Sequence, residues 1–405
     1  MKATFSPIFT NKEPSHRPVL QVPVHAPDPG AIRSLSRPLP RLVCGAGCLS
    51  ELPRLTAGRK SVAVFTDSGL RSAGHPQRAI ALLEAAGHRV PVFDGTEENP
   101  DSLHIEKASQ FIAAERPDII VALGGGSSMD TAKTANLLFS CGGKVNHYQG
   151  YGKATAPLLP MIGIPTTTGT GSEAQSYAVI VDRQTHLKMA CGDPAMLFGT
   201  VVLDPELALS QPRGVSAISG LDAISHALEA AVTTARNPLS LSYAREAWRL
   251  LSTHFDRVLA RSADVATISA MQWGAFLAGA SIEQSMLGAC HATANPLTAH
   301  YGLTHGVAIG LMLPWVIRHN ARAAAGDYEA LARDAGMRLE SAEGLAQQIE
   351  AWRTAAGMPA RLGACGIRDG ILPILAEEAS QQWTGRFNPA PMSEIDFLQL
   401  YRSAM

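Results

Sequence analysis

An alternation running through the first half of the chain limits its fold more than anything else in the sequence. Short apolar runs, SVAVFTD (61–67), VPVF (90–93), DIIVALGGG (118–126), MIGIPT (161–166) and VVLDP (201–205), take turns with helical stretches such as RAIALLEAAG (78–87) and HIEKASQFIAAE (104–115). Parallel strands need a long crossover between them, usually a helix, so this text predicts βαβ units in a parallel sheet. Beyond Pro212 the period changes. SAISGLDAISHALEAAVTTA, SLSYAREAWRLLSTHF, MQWGAFLAGASIEQ and GVAIGLMLPWVIRHNA carry Ala, Leu, Glu and Arg at helical spacing, and strand-like runs nearly vanish. The expected organisation is a Pro-rich N-terminal arm over 1–38, a Rossmann-like α/β dinucleotide-binding domain over 39–205 and an all-α domain over 206–405. Ligand sites favour the cleft between such halves.

With 405 residues, 46% of them hydrophobic, the chain can bury a full core. Lys plus Arg number 34 against 35 Asp plus Glu, a net charge of −1, so there is no broad footprint for nucleic acid or an anionic membrane. A small-molecule ligand is the expected partner. Six cysteines are scattered, and the one close pair, Cys44 and Cys48, has no second pair at zinc-ribbon spacing; they read as reduced thiols of a cytoplasmic protein. Prolines and charges interrupt the apolar stretches of MKATFSPIFTNKEPSHRP, and no uninterrupted apolar run approaches the ~18 residues of a membrane span, which points to a soluble protein.

VALGGGSSMDTAK (121–133) sets three glycines between a strand and a helix. Bare backbone amides at a helix N-terminus there could receive a pyrophosphate; a tight turn capped by Ser127 or Ser128 is the simpler alternative. IPTTTGTGSE (164–173) is a second such turn and supplies Thr166, Thr167, Thr168, Thr170 and Ser172 as small donors for phosphate and ribose. Asp67 ends a strand, where an acid can accept from a ribose 2′-hydroxyl and repel a 2′-phosphate, or simply cap the turn that follows. Neither turn spells GxSxG, which disfavours acyl transfer through Ser172.

In GLDAISHALEA (220–230), Asp222 and His226 stand four apart on one helical face. His291 and His305 follow in CHATANPLTAHYGLTHG. One carboxylate and three imidazoles form a four-ligand set for Fe²⁺ or Zn²⁺, although each histidine taken alone could be a packing residue. His300 lies between the last two, as a pocket or proton-relay residue or a solvated one.

These motifs, with the closing TGRFNPAPMSEIDFLQLY, resemble the iron-containing (group III) alcohol dehydrogenase family from about Arg41 to the C-terminus. The resemblance implies the dehydroquinate synthase-like fold with the active site in its cleft. It implies a cation held by Asp222, His226, His291 and His305. It implies NAD, preferred over NADP, held by Asp67, Asn99, Gly125, Gly126, Ser127, Asp130, Thr166, Thr167, Thr170 and Lys188. Many members carry a second histidine four residues after the first of the pair; here that position is Asn295, which hydrogen-bonds but cannot exchange a proton. His300, or water, would then take the relay, and Tyr177 and Trp383 would shape the substrate pocket. The activity implied is reversible hydride transfer between a primary alcohol, or small hydroxy compound, and NAD, in a homodimer or higher homo-oligomer. A metal-free maleylacetate reductase-like enzyme and a lyase of the dehydroquinate synthase-like superfamily are the alternatives, along with a nucleotide-binding scaffold without chemistry.

Overall fold

A computed structural model describes residues 37–183, 188–337 and 341–405, so all but the last two residues of the Pro-rich arm lie outside the described residues. The first half forms β1 (Arg41–Cys44), α1 (Leu52–Leu55), β2 (Val62–Asp67), α2 (His75–Ala85), β3 (Val92–Thr96), α3 (Ser102–Glu115), β4 (Ile119–Gly124), α4 (Gly126–Cys141), β5 (Gly150–Tyr151), β6 (Met161–Pro165), β7 (Tyr177–Val181), β8 (Lys188–Gly192) and β9 (Thr200–Leu203). Six strands make one sheet in the order β1-β9-β6-β4-β2-β3, with every neighbouring pair parallel. Its side chains alternate between two buried faces. Ala63, Phe65, Ile120 and Ala122 enter one core, while Val62, Val64, Ile119 and Val121 enter the other. Burial on both faces is why these strands read as continuous apolar runs.

The sequence reading did not pick out β1, or the antiparallel β7–β8 pair that joins β5 in a small second sheet. β1 is only four residues long, and β8 (KMACG) begins with a lysine and ends in glycine, so neither displays a clear apolar period.

From Pro205 onward the described residues contain helices and no strand: α5 (Pro205–Leu209), α6 (Arg213–Val232), α7 (Pro238–Leu259), α8 (Val265–Gln284), α9 (Ala289–Tyr301), α10 (His305–Asn320), α11 (Ala325–Asp334), α12 (Ala342–Ala355), α13 (Leu372–Gln381) and α14 (Glu394–Ala404). α6 is buried from Ser216 to Val232 except at Ile218, taking the polar Asp222, His226 and Glu229 into the interior with it. α8 alone among the described helices has a length and mean hydropathy (1.3) that a bilayer would suit, yet 72% of that stretch is buried. Its polar Thr267, Gln272, Ser281, Glu283 and Gln284 are buried with it, so α8 is a core helix packed on α7 and α6.

Sheet and helices share one core, in which Phe65 and Met161 join Leu221 and Ile224, and the described residues form a single compact unit. The turn after β6 is wedged between the halves. A Cβ on Gly169 would lie 2.2 Å from the Ser219 carbonyl oxygen of α6, and one on Gly171 would lie 2.8 Å from Gly279 Cα of α8. Only glycine permits so close an approach of backbone to backbone.

Candidate active site

Asp222 and His226 occupy successive turns of α6, His291 the first turn of α9, and His305 the first position of α10. Asp222 Oδ1 stands 3.6 Å from His226 Nε2, 3.9 Å from His291 Nε2 and 3.7 Å from His305 Nε2. These separations are too long for hydrogen bonds. Ligand atoms about 2.1 Å from a central ion at tetrahedral angles stand about 3.4 Å apart, close to what is seen. Asp222 Oδ1 and His291 Nε2 are buried without any hydrogen-bond partner, an arrangement that is costly unless something positive joins them. Asp222, His226 and His291 offer ligand atoms mutually within 4.8 Å, and His305 completes the set predicted from sequence. The donors therefore fit a divalent cation such as Fe²⁺ or Zn²⁺.

Burial lowers the His226 pKa to about 4 despite Asp222, and holds His305 well below its ordinary value with Lys188 adding to the effect. Both rings are thus neutral, as metal ligands must be. A proton that the unfolded chain accepts near pH 6.5 is refused by folded His226 until about pH 4. The metal-free protein is therefore expected to lose stability as pH falls through that window, because the unfolded state then binds more protons. Thermal melts of metal-free protein at about pH 7 and about pH 5 should show the lower Tm at the acidic value.

A cleft of about 960 Å³ has a wall that includes Asp67, Gly125, Gly126, Ser127, Thr166 and Thr167, six of the ten positions expected to hold the nucleotide. No side chain caps the N-terminus of α4, which opens beside Gly125 and Gly126. A Cβ on Gly126 would lie 2.9 Å from Thr170 Cγ2, so the two glycine-rich turns are in contact and Thr170 backs the cleft. Asp67 caps its turn, accepting from the Leu70 amide at 3.1 Å through Oδ1, and its second oxygen lies near Gly124. Asn99 follows the cleft residues Glu97 and Glu98, with a left-handed φ of 52°.

Asp130 and Lys188 are not part of the cleft wall. The Asp130 carboxylate accepts from Ser172 Oγ at 2.7 Å and the Val179 amide at 2.9 Å, tying α4 to the wedge and to β7. Lys188 feels Asp222 of the cluster, Asp130, and Glu98 of the cleft, so it lies electrostatically between the two sites; burial still lowers its pKa to about 8.

Among the pocket residues, Asn295 lies one turn beyond His291 on α9 and donates to Gln382 Oε1 at 3.1 Å, directly before half-buried Trp383. Tyr177 packs against Tyr151 with the rings tilted by 31° and their centroids 5.3 Å apart, and adjoins Arg37. His300 points elsewhere. Nine residues after His291 is two and a half helical turns, so the ring faces the opposite side of α9, where Nε2 lies 2.9 Å from Glu378 Oε1.

Three features go beyond the site residues expected from the sequence. Thr96 and Ser128 line the cleft with buried hydroxyls that have no partner. Lys133 is fully buried and its Nζ donates to the Ser172, Gln175 and Tyr177 carbonyls, fastening the wedge from inside. Glu229 contacts His291, and its spacing from Asp222 and His226 (i, i+4, i+7) was the available signal.

The iron-containing alcohol dehydrogenase family model matches residues 40–205, and the C-terminal model of the Fe-containing alcohol dehydrogenase family matches 216–405. The chain is 29% identical to the NAD-dependent methanol dehydrogenase of Bacillus methanolicus, covering 90% of this chain and 98% of that protein. It is 31% identical to alcohol dehydrogenase 4 of Schizosaccharomyces pombe, over 89% and 86% of the two. Among solved structures, a 1,3-propanediol oxidoreductase superposes with a TM-score of 0.88 at 28% identity, covering 92% of this chain and all of that one. The sulfoacetaldehyde reductase of Bifidobacterium kashiwanohense, solved with NAD⁺, superposes at 0.82 with 26% identity, over 93% and 99%.

Proposed function

Because this chain belongs to the iron-containing alcohol dehydrogenase family, we propose that its cleft and its buried cluster together carry out reversible hydride exchange between a primary alcohol, or a small hydroxy compound, and NAD. The observation that carries this reading is a partnerless, buried Asp222 Oδ1 facing three imidazoles. When bound, NAD supplies the two-electron acceptor, and Fe²⁺, or Zn²⁺ on the same donors, supplies the Lewis acidity that eases loss of the hydroxyl proton.

The chain's own contribution is to hold and to orient. Asp222, His226, His291 and His305 would hold the cation in a buried site. The amides at Gly125 and Gly126, with Ser127, Thr166, Thr167 and Thr170, would receive the pyrophosphate, and Leu70, Leu207, Pro212 and Val215 offer the cleft's apolar wall. Asp67 would accept from the adenosine ribose. Lys188 would face the cofactor ribose, its charge lying between cleft and cluster. Asn295 would hydrogen-bond the substrate, with Tyr177 and Trp383 shaping its pocket. Since Asn295 cannot exchange a proton and Glu378 engages His300, the hydroxyl proton would leave to water. A homodimer in the cytoplasm belongs to the same reading; six free thiols suit a reducing compartment.

Asp67→Ala should weaken NAD use about tenfold and raise turnover with NADP, because the repulsion of a 2′-phosphate disappears with the carboxylate. Steady-state kinetics with both nucleotides checks it. The reading as a whole is tested by metal content of the purified protein, followed by formation of reduced nicotinamide against a panel of primary alcohols, diols and aldehydes. About one equivalent of iron or zinc with chelator-sensitive turnover is expected. Turnover undiminished in metal-free protein would move the chain to the metal-free reductase branch.

A further inference from the structure

Glu229 is 4% exposed, lies one turn beyond His226 on α6, and has no part in the ligand set. Its Oε2 lies 2.5 Å from His291 Nδ1, and its Oε1 accepts the Cys290 amide at 2.7 Å. An ionised carboxylate only accepts, so Nδ1 must carry the ring proton, which leaves the lone pair of His291 on Nε2, the atom turned toward Asp222. The same contact fixes the start of α9, whose N-cap, Gly288, offers no side chain. A Cβ on Gly288 would lie 2.9 Å from Glu229 Oε1 and 3.2 Å from Asn388 Oδ1.

Asn388 braces the same helix end. Its Oδ1 accepts the Ala289 amide at 3.3 Å, and its side chain exchanges two hydrogen bonds with Asn320 of α10, at 3.0 and 2.7 Å. Helix α6 and the loop before α14 thus grip the turn that carries His291, and Asn320 of α10 holds the loop's Asn388 in place.

We propose that Glu229 is the positioning residue of the cation site: it selects the tautomer of His291, fixes its ring and seats the first turn of α9. Groups behind a metal ligand orient it and raise its basicity, and their loss costs about ten- to a hundredfold in metal affinity. The inference rests on the cluster being a cation site, and its test separates the two. In Glu229→Gln one amide position must meet a donor. Either the Cys290 contact fails, or His291 moves its proton to Nε2 and blocks the lone pair.

The test is Co²⁺ affinity, by competition with a chelator, together with the visible Co²⁺ spectrum, for the full-length wild type, Glu229→Gln and Glu229→Ala. The expected result is affinity about tenfold weaker in the Gln variant and toward a hundredfold weaker in the Ala variant, with shifted Co²⁺ bands and unchanged NADH binding. A purely structural role would lower Tm and leave the affinity and spectrum of the folded protein as they are. Wild-type affinity and spectrum in Glu229→Gln would overturn the proposal, and that variant, equal in size to the original, carries the test if Glu229→Ala does not fold. Failure of the wild type to bind Co²⁺ would instead overturn the cation site.

Discussion

Replacing His291 with alanine is expected to strip the protein of its divalent cation and of turnover while leaving nucleotide binding intact. The substitution removes one of four donors and, in the same stroke, deprives the buried Glu229 of its closest partner. A cation stabilises developing charge by several kcal/mol, so turnover should fall by about a thousandfold or more. Cation affinity should fall further than in the Glu229 variants, because a ligand is lost outright and not merely loosened. None of the cleft residues belongs to α9, so quenching of tryptophan fluorescence by NADH should titrate as in wild type. A His291→Ala protein that keeps both cation and turnover would remove His291 from the ligand set.

Gly169→Ala should be among the most damaging single methyl additions at the described residues. Its Cβ would sit 2.2 Å from the Ser219 carbonyl oxygen and 2.4 Å from Ser219 Cβ. The first of these is backbone of a buried helix and has no rotamer to change. Either the turn or α6 must move, and overpacking a dense interior costs about 1–3 kcal/mol, more where backbone must shift. The shift would also reach function. Thr166 and Thr167 line the cleft a few residues before Gly169, and Asp222 follows Ser219 by one helical turn. Melting temperature, metal content and KM for NAD should all worsen together. Gly214→Ala is the control: it lies near the start of the same helix, a Cβ there meets nothing within 4 Å, and alanine favours helix by about 1 kcal/mol. Equal melting of the Gly169 variant and wild type would show that the wedge is looser than its contacts imply.

The parts of the site that could be read from sequence lie within single elements. Asp222 and His226 are legible because a helix returns to the same face every three to four residues. The glycine-rich turns are legible because they end strands. His291 and His305 entered the set as a second histidine cluster far along the chain, and the family resemblance then supported them; nothing local says that α9 and α10 start at the same point in space. His300 is close to His291 along the chain, but the helical period turns it to Glu378. Asp130 looked like a nucleotide ligand by position, and only the fold reveals that Ser172 and Val179 occupy its oxygens.

The sequence by itself determined the alternation of strands and helices, the break near residue 205, the acid–imidazole pair on one helix and the small residues of two turns. Each follows from the period of one element or the steric freedom of one residue. Tertiary structure alone decided that four donors from three helices converge, that Glu229 stands behind one of them, and that Lys133 and Asp130 hold the wedge between sheet and helices. Convergence of this kind depends on how buried surfaces far apart in the chain pack together, and no local period encodes that.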